Sequence, residues 1–494
     1  MSQTETALSG QKRHGLRAYK WKALATVAMG TIMATMDMSI VNLSFPTLTR
    51  VFGADLDTVM WTTLAYILVS VSIILIVGRI GDMVGRKRVY TLGIFVFTLG
   101  VVACSLSQSI GQLIFFRSLQ AVGAAMTISC GTAIVTEAFP SEELGRGLGL
   151  MGVAVSAGFI SGPVIGGLLL DWIDWRAIFY MRAPVGLVTV IMAHVLLQEE
   201  KRGDSRIRLD LRGAILSSVG LFSLIFGLSQ LKRMGTDSPA VWLMVGTGLI
   251  LLVLFVVLER RAEDPIVDLS LFENRVFCGA TGSLFFLFVS APAFILIMPF
   301  YLIEGMEFSP STAGLFLTVN SAATMLTGPI SGWLSDRYGP VWFSSLGAGL
   351  TAAGFCFMLG FDLQTPVTTI IGVLLILGMG IGTFQAPNNS TLMGSVDRKR
   401  LGSASALIAT VRQVGLSLGM ALVGTMFTAR RAAHQIQFSN QGMEAGQAGR
   451  FSIPPAFHDV LLISVILGFL AVLFSLASGK GKGGDYGLLV NSDE

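Results

Sequence analysis

The chain reads as an all-α membrane protein with fourteen transmembrane helices: two six-helix bundles and two linker helices between them. Three observations predict this. Only 13% of the 494 residues are charged and 53% are hydrophobic, against roughly a quarter charged in soluble domains, and the mean hydropathy is +0.71. Apolar runs of roughly 18–28 residues recur, each about long enough to cross ~30 Å of hydrocarbon as a helix. A polar turn, Gly78-Arg-Ile-Gly-Asp82-Met-Val-Gly85-Arg86-Lys87-Arg88, lies between two such runs. It returns as Gly332-Trp-Leu-Ser-Asp336-Arg-Tyr-Gly339 with the same Gly-x3-Asp-x2-Gly spacing, 254 residues on (332 minus 78).

The first 22 residues are polar and basic (Lys12, Arg13, Arg17, Lys20, Lys22). The apolar run behind them is too long for a signal core, so span 1 is expected to stay as a signal anchor. The first six spans fall at 23–46, 59–77, 89–106, 112–136, 147–170 and 177–197. A pair follows at 211–231 and 240–258, and the last six lie at 276–302, 311–334, 341–361, 366–392, 403–428 and 458–477. The domains are then 1–198, a linker 199–270 with the extra pair, and 271–494. The charged stretch Gln198–Arg212 joins the halves as solvated chain, Ala429–Pro455 is the longest outer loop, and the glycine-lysine tail after Gly479 is a flexible end.

An even number of spans behind a basic amino terminus puts both ends of this cell-membrane protein in the cytoplasm. On that topology about 24 of the 34 Lys/Arg are cytoplasmic and about 7 external, as the positive-inside bias requires. The glycines of the repeated turn allow close helix approach. Asp82 near a helix end suits a positive helix N-terminus or a neighbouring arginine. Cys104, Cys130, Cys278 and Cys356 sit in apolar spans without paired spacing and read as small buried hydrophobes, not a zinc site. No basic run is interleaved with aromatics as nucleic-acid binding would need.

Ionisable groups inside spans cost a few kcal/mol each and persist mainly where they face protein or a water-filled path. Asp37, Arg117, Arg182 and Arg412 are the four that stand out. At ~1.5 Å per residue, Asp37 lies about 13 Å, and Arg117 and Arg182 roughly 8 Å, from the outer ends of their spans. These three therefore lie at similar depths, within side-chain reach. Around Asp37 they read as a proton- or substrate-responsive cluster, since burial opposes the carboxylate's charge while arginine favours it. A static ion pair locking helices is the competing account. Arg412, followed by small residues, reads as structural, as do Glu137 and Glu304 near span ends. Asn388 and Asn389 follow Pro387, which frees backbone carbonyls. These amides could line a cavity or merely repair the helix. Gly158, Gly162, Gly166 and Gly167, with Pro163, form one bare helix face for close contact.

Taken together these segments resemble the major facilitator superfamily, and within it the fourteen-helix drug:proton antiporters, over nearly the whole chain. Gly78–Arg88 resembles the family's loop 2–3 signature, with Asp82 and Arg86 its charged members. Met36-Asp37-Met-Ser-Ile-Val-Asn42-Leu-Ser-Phe-Pro46 resembles its span 1 motif. Arg117-Ser-Leu-Gln120-Ala-Val-Gly123 resembles the span 4 motif, whose arginine is associated with proton coupling. The line from Gly158 to Gly167 resembles the antiporter motif of span 5, and Gly382-Thr-Phe-Gln-Ala-Pro387-Asn388-Asn389 resembles span 12. Two positions depart from the pattern. Arg182 stands where members typically carry a neutral asparagine, and Ala121 replaces a usual glycine.

The resemblance implies a major facilitator fold with a central cavity and alternating access. It implies proton-driven export of small, partly hydrophobic compounds (multidrug efflux), with no metal or other cofactor beyond the proton gradient. Asp37 would take proton or substrate and Arg117 would modulate it. Asn42, Gln120, Arg182, Asn388 and Asn389 complete the expected binding set. Gly78, Asp82, Gly85, Arg86, Asp336 and Gly339 would gate the cytoplasmic side. One carboxylate against two arginines leaves a charge of +1, which favours an anionic or zwitterionic substrate. The abundant Phe and Met (32 and 22) suit a surface that repacks around varied ligands, though lipid-facing packing accounts for most of them. The expected partners are substrate, protons and the bilayer, with the chain acting as a monomer. A facilitator or importer of one metabolite or lipid shares the fold, as does a non-transporting receptor. An enzyme is the weakest reading: the four histidines (His14, His194, His434, His458) are scattered and no catalytic set assembles.

Overall fold

A computed structural model describes residues 2–140, 144–199, 210–230, 234, 238–262, 269–396 and 401–479. The side chains of 2–18, 75, 82, 144–146, 148–149, 211, 336, 401–403 and 405–406 lie outside the described set. The Asp82 and Asp336 side chains are thus not described, and neither is most of the charged linker or the tail.

All described regular structure is helical. In the first half the helices are α1 (Ser2–Leu43), α2 (Phe45–Phe52), α3 (Leu56–Val84), α4 (Arg86–Ser105), α5 (Ile110–Ala138), α6 (Leu144–Trp172), α7 (Ala177–Tyr180) and α8 (Ala183–Leu196). The middle pair is α9 (Leu211–Ser229) and α10 (Pro239–Glu259). The second half holds α11 (Arg275–Ser290), α12 (Pro292–Phe300), α13 (Pro310–Tyr338), α14 (Pro340–Met358), α15 (Val367–Gly394), α16 (Leu401–Asn440), α17 (Ala445–Phe451) and α18 (Ile453–Ala477). A π turn, Tyr301–Gly305, extends α12 directly after Pro299. Ser109, Asn274 and Ser309 cap the starts of α5, α11 and α13 by accepting from the backbone N–H groups of Gln112, Val276 and Thr312, which satisfies donors a helix start otherwise leaves open.

Among the described residues thirteen helical segments are long and apolar enough to span a membrane, against the fourteen expected. The difference is α13, 29 residues long but diluted by Asn320, by serines and threonines, and by Pro329. Its length suffices; its hydropathy does not.

Two sequence expectations are corrected. The segment Gly78–Arg88 is not a turn throughout. α3 continues to Val84, and Gly85 alone breaks the chain, with φ +110° and its N–H bonded back to the Gly81 carbonyl. Gly339 does the same between α13 and α14, with φ +93° and its N–H on the Ser335 carbonyl. A positive φ of this kind is open to glycine and strained for other residues. The outer loop expected over 429–455 is mostly helix, because α16 runs on to Asn440 and α17 follows. Ala, Arg and Gln favour helix there, and the first interruption is Gly442 at φ +89°. Arg431 on this extension pairs with Glu304 at 2.6 Å, and His434 meets Asp459 at 3.1 Å.

The chain packs as two compact units. The first comprises Met1–Phe222, Gly248–Phe255 and Ala262–Ile266; the second comprises Ser223–Thr247, Val256–Arg261 and Val267–Glu494. Within the first, α4 lies so close to α5 that a Cβ on Gly93 would stand 2.6 Å from Met126 Cβ, and one on Gly100 would stand 2.7 Å from the Gln120 backbone. Within the second, α14 and α15 repeat this. A Cβ on Gly347 would fall 2.7 Å from the Gly380 carbonyl oxygen, and one on Gly354 would fall 2.5 Å from Leu377. Both pairs keep the offset of the turn motif, since 347 minus 93 and 354 minus 100 are also 254. The duplication therefore extends from the turn into the helix that follows it.

Cys104 and Cys130 are buried, but Cys278 is intermediate and Cys356 exposed, so those two are not core residues. Cys356 lies on α14 beside exposed Phe357, where a bilayer rather than protein would cover it.

Candidate functional site

The line of small residues in α6 places the site. Cβ atoms on Gly158, Gly162 and Gly166 would overlap Thr35, Ser39 and Ile40 of α1, so the two backbones lie in direct contact. α6 runs unbroken through Pro163. Thr35 and Ser39 donate their hydroxyls back to α1 carbonyls, Thr35 to Thr31 at 2.9 Å and Ser39 to Met36 at 3.0 Å. At 3.6 residues per turn, Asp37, two positions from each, points roughly 160° away from that interface. One face of α1 is pressed onto α6, which turns the carboxylate toward α5 and α8.

There Asp37 meets both arginines. Arg117 Nη1 on α5 donates to Asp37 Oδ2 at 2.5 Å, and Arg182 Nη1 donates to Asp37 Oδ1. Gln120, one turn beyond Arg117, donates from Nε2 to Asp37 Oδ1 at 3.0 Å and accepts from Arg117 Nη1 at 2.8 Å. Its approach to α4 depends on Gly100 having no side chain. Arg117 is further held by Nε on the Thr62 carbonyl, 3.2 Å away, and lies 4.3 Å from the centre of the Tyr66 ring. Arg182 sits at the break between α7 and α8, its Nε donating to the Ile178 carbonyl at 2.7 Å. Asn42, about a turn and a half along α1, accepts from Thr63 of α3 at 3.1 Å.

The cluster is closed off from bulk solvent: Asp37, Arg117 and Gln120 are 0% exposed and Arg182 3%. Charges withdrawn from water cost several kcal/mol each unless paired and hydrogen-bonded. Asp37 meets that condition fully. The guanidiniums do not, because Nη2 of Arg117 and Nη2 of Arg182 are both buried without a partner among the described residues. One carboxylate faces two guanidiniums, a net charge of +1. Protonating Asp37 would remove the attraction that ties α1 to α5 and α8, and an anion at the two free nitrogens would supply the missing charge.

The other expected residues are placed as follows. Asn388 and Asn389 lie on α15 in the second unit; Asn388 is 1% exposed, with its Nδ2 unpartnered. Arg86 pairs with Glu137 of α5 at 3.3 Å. Gly78 makes only ordinary contact with Ser129, 3.6 Å from a Cβ position. Arg412 lies 5.2 Å from the Phe288 ring centre, its Nε buried and unpartnered. Sequence reasoning missed Tyr66 and Thr62 as supports of Arg117. Thr62 lends only its backbone carbonyl, its hydroxyl being turned to the Val59 carbonyl, so its residue type gave no signal; Tyr66, an aromatic with a polar tip inside an apolar span, is the one that did.

A multi-pass helical protein whose buried ionic cluster unites three spans fits the class of membrane transporters. The family is settled by sequence: residues 27–420 match the model of the Major Facilitator Superfamily, and the chain belongs to that superfamily. It is 33% identical to the riboflavin transporter RibZ of Clostridioides difficile, over 83% of this chain and 88% of that one. It is 30% identical to the multidrug resistance protein Stp of Mycobacterium tuberculosis, over 82% and 75%. Among solved structures it resembles a bacterial homolog of the human lysosomal transporter Spinster, in an inward-facing, unoccupied conformation. That match has a TM-score of 0.68 at 15% identity, covering 93% of this chain and 97% of that one.

Proposed function

We propose that this superfamily member is a proton-coupled antiporter of the cell membrane that exports small, partly hydrophobic compounds by alternating access. It works as a monomer with both termini cytoplasmic, with α13 as the fourteenth span, and without a cofactor. The supporting observation is the triad of Asp37, Arg117 and Arg182. It is a carboxylate closed off from bulk solvent whose two ion pairs tie three helices together. Taking up a proton turns Asp37 from an acceptor of charged hydrogen bonds into a neutral acid and loosens α1 from α5 and α8. Losing it re-forms the clasp. Because the carboxylate is closed off here, proton exchange belongs to another conformation of the cycle, which is what coupling a gradient to movement demands. Resemblance to a multidrug resistance protein and to a riboflavin transporter supports a cargo with a sizeable apolar body. The test is transport in reconstituted vesicles under an imposed pH gradient. Asp37→Asn is expected to abolish uphill export. Export against a concentration gradient with full pH dependence in this variant would remove Asp37 from the coupling step.

A second reading, transport of an anionic or zwitterionic metabolite, is favoured by the two unpartnered Nη2 atoms and the +1 charge. Arg182→Asn is then expected to shift preference toward cations in competition assays. Unchanged charge selectivity would take Arg182 out of the site.

A further inference from the structure

Away from the Asp37 cluster, the start of α4 and the end of α8 flank an open cavity of about 440 Å³, within the roughly 300–1,000 Å³ of small-ligand sites. Lys87, Arg88, Leu92 and Phe95 line it from α4; Val190 and His194 line it from α8. The spacings place each set on one helix face. The helices close together further along, where a Cβ on Gly186 would stand 2.8 Å from Thr98 Cγ2, so the cavity has a floor. Among the described residues Lys87 and Arg88 face one carboxylate, Glu199, 3.6 Å from Arg88. Both side chains of that pair are more than half exposed (55% and 64%), and such a pair contributes little. The mouth of the cavity therefore stays positive.

Beyond the basic end the surface turns apolar without a break. Leu92 is 53% and Phe95 47% exposed, and Leu99 on α4 and Leu187 and Ile191 on α8 are exposed as well. A ligand fitting both parts carries a negative head and an apolar tail. We propose that this cavity binds one anionic phospholipid, its phosphate at Lys87 and Arg88 and its acyl chain along Leu92, Phe95 and Ile191. Basic pockets between spanning helices suit such headgroups. A soluble anion would leave the apolar strip uncovered, and a second copy of this chain would bring like charges together.

The test is native mass spectrometry of the full-length protein in detergent with equimolar phosphatidylglycerol and phosphatidylcholine. Wild type is expected to retain phosphatidylglycerol preferentially. The Lys87→Gln/Arg88→Gln variant should lower that preference roughly 25-fold, at about fivefold for each basic residue removed. Leu92→Gln/Phe95→Gln is expected to weaken retention of both lipids, and it serves as an independent variant should the first fail to fold. Glycerol 3-phosphate is expected not to compete. Equal retention of the two lipids by wild type would overturn the proposal. So would an undiminished preference in the basic variant, competition by the headgroup alone, or a dimer peak in place of bound lipid.

Discussion

The two units share a scaffold and differ in charge. Gly85 and Gly339 break the chain at equivalent points with near-identical backbone angles, and Gly93, Gly100, Gly347 and Gly354 fit the next helix onto its neighbour in both. The buried ions are another matter. The first unit carries a carboxylate with two guanidiniums at 0–3% exposure. Among the described residues of the second, the mid-span Arg412 has no carboxylate at ion-pair distance, and the partly buried pair Glu304–Arg431 sits at a span end. Backbone fit survives duplication because any substitution of a close-contact glycine breaks the packing. Side-chain charge is free to diverge wherever its partners diverge with it. The shared scaffold with one-sided chemistry is what the proposed coupling at Asp37 would require.

Three comparisons would break or sharpen this contrast. The largest effect is expected at Asp37. Replacing it by Ala strands two buried guanidiniums and should lower stability by about 3–5 kcal/mol, whereas Arg412→Met should change it by no more than about 1 kcal/mol. Thermal unfolding of both variants in detergent checks this, and equal losses would mean that the second unit hides a partner of equal weight. Next come Gly93→Val and Gly347→Val. Each inserts a side chain where a Cβ already collides with the facing helix, at an expected ~2–3 kcal/mol apiece. A large loss in one unit only would show that the duplicated contact no longer does the same task. The smallest effect is expected from Gly85→Ala and Gly339→Ala, about 1 kcal/mol each from the positive φ. A difference between them of more than that would separate a merely structural break from one that moves.

Much of this was legible beforehand, for specific reasons. Burying charge in a membrane is costly, so Asp37, Arg117 and Arg182 stood out, and their similar depths implied the convergence found. The glycine line of α6 was legible as a contact face because side-chain size and helical period are both in the sequence. What it touched was not, since α1 is more than a hundred residues away. Spans were misjudged where polarity and helicity part company. α13 is helical but too polar for the hydropathy criterion, α3 runs helically through the polar Gly78–Val84, and α16 passes its apolar end by twelve residues, from 428 to Asn440. Hydropathy reports where a bilayer would end. It does not report where a helix ends.

The meeting of α1 and α6 carries one more consequence. Thr35 Oγ1 and Ser39 Oγ, already bonded to carbonyls of their own helix, are the atoms that face Gly158 and Gly162, with the Ile32 and Met36 carbonyl oxygens next to them. A seam of that sort is set by the bare glycine backbone of α6, since any side chain on Gly158 or Gly162 would run into those oxygens. The helix that bears the carboxylate keeps its bearing on α6 only while both positions stay empty of side chain.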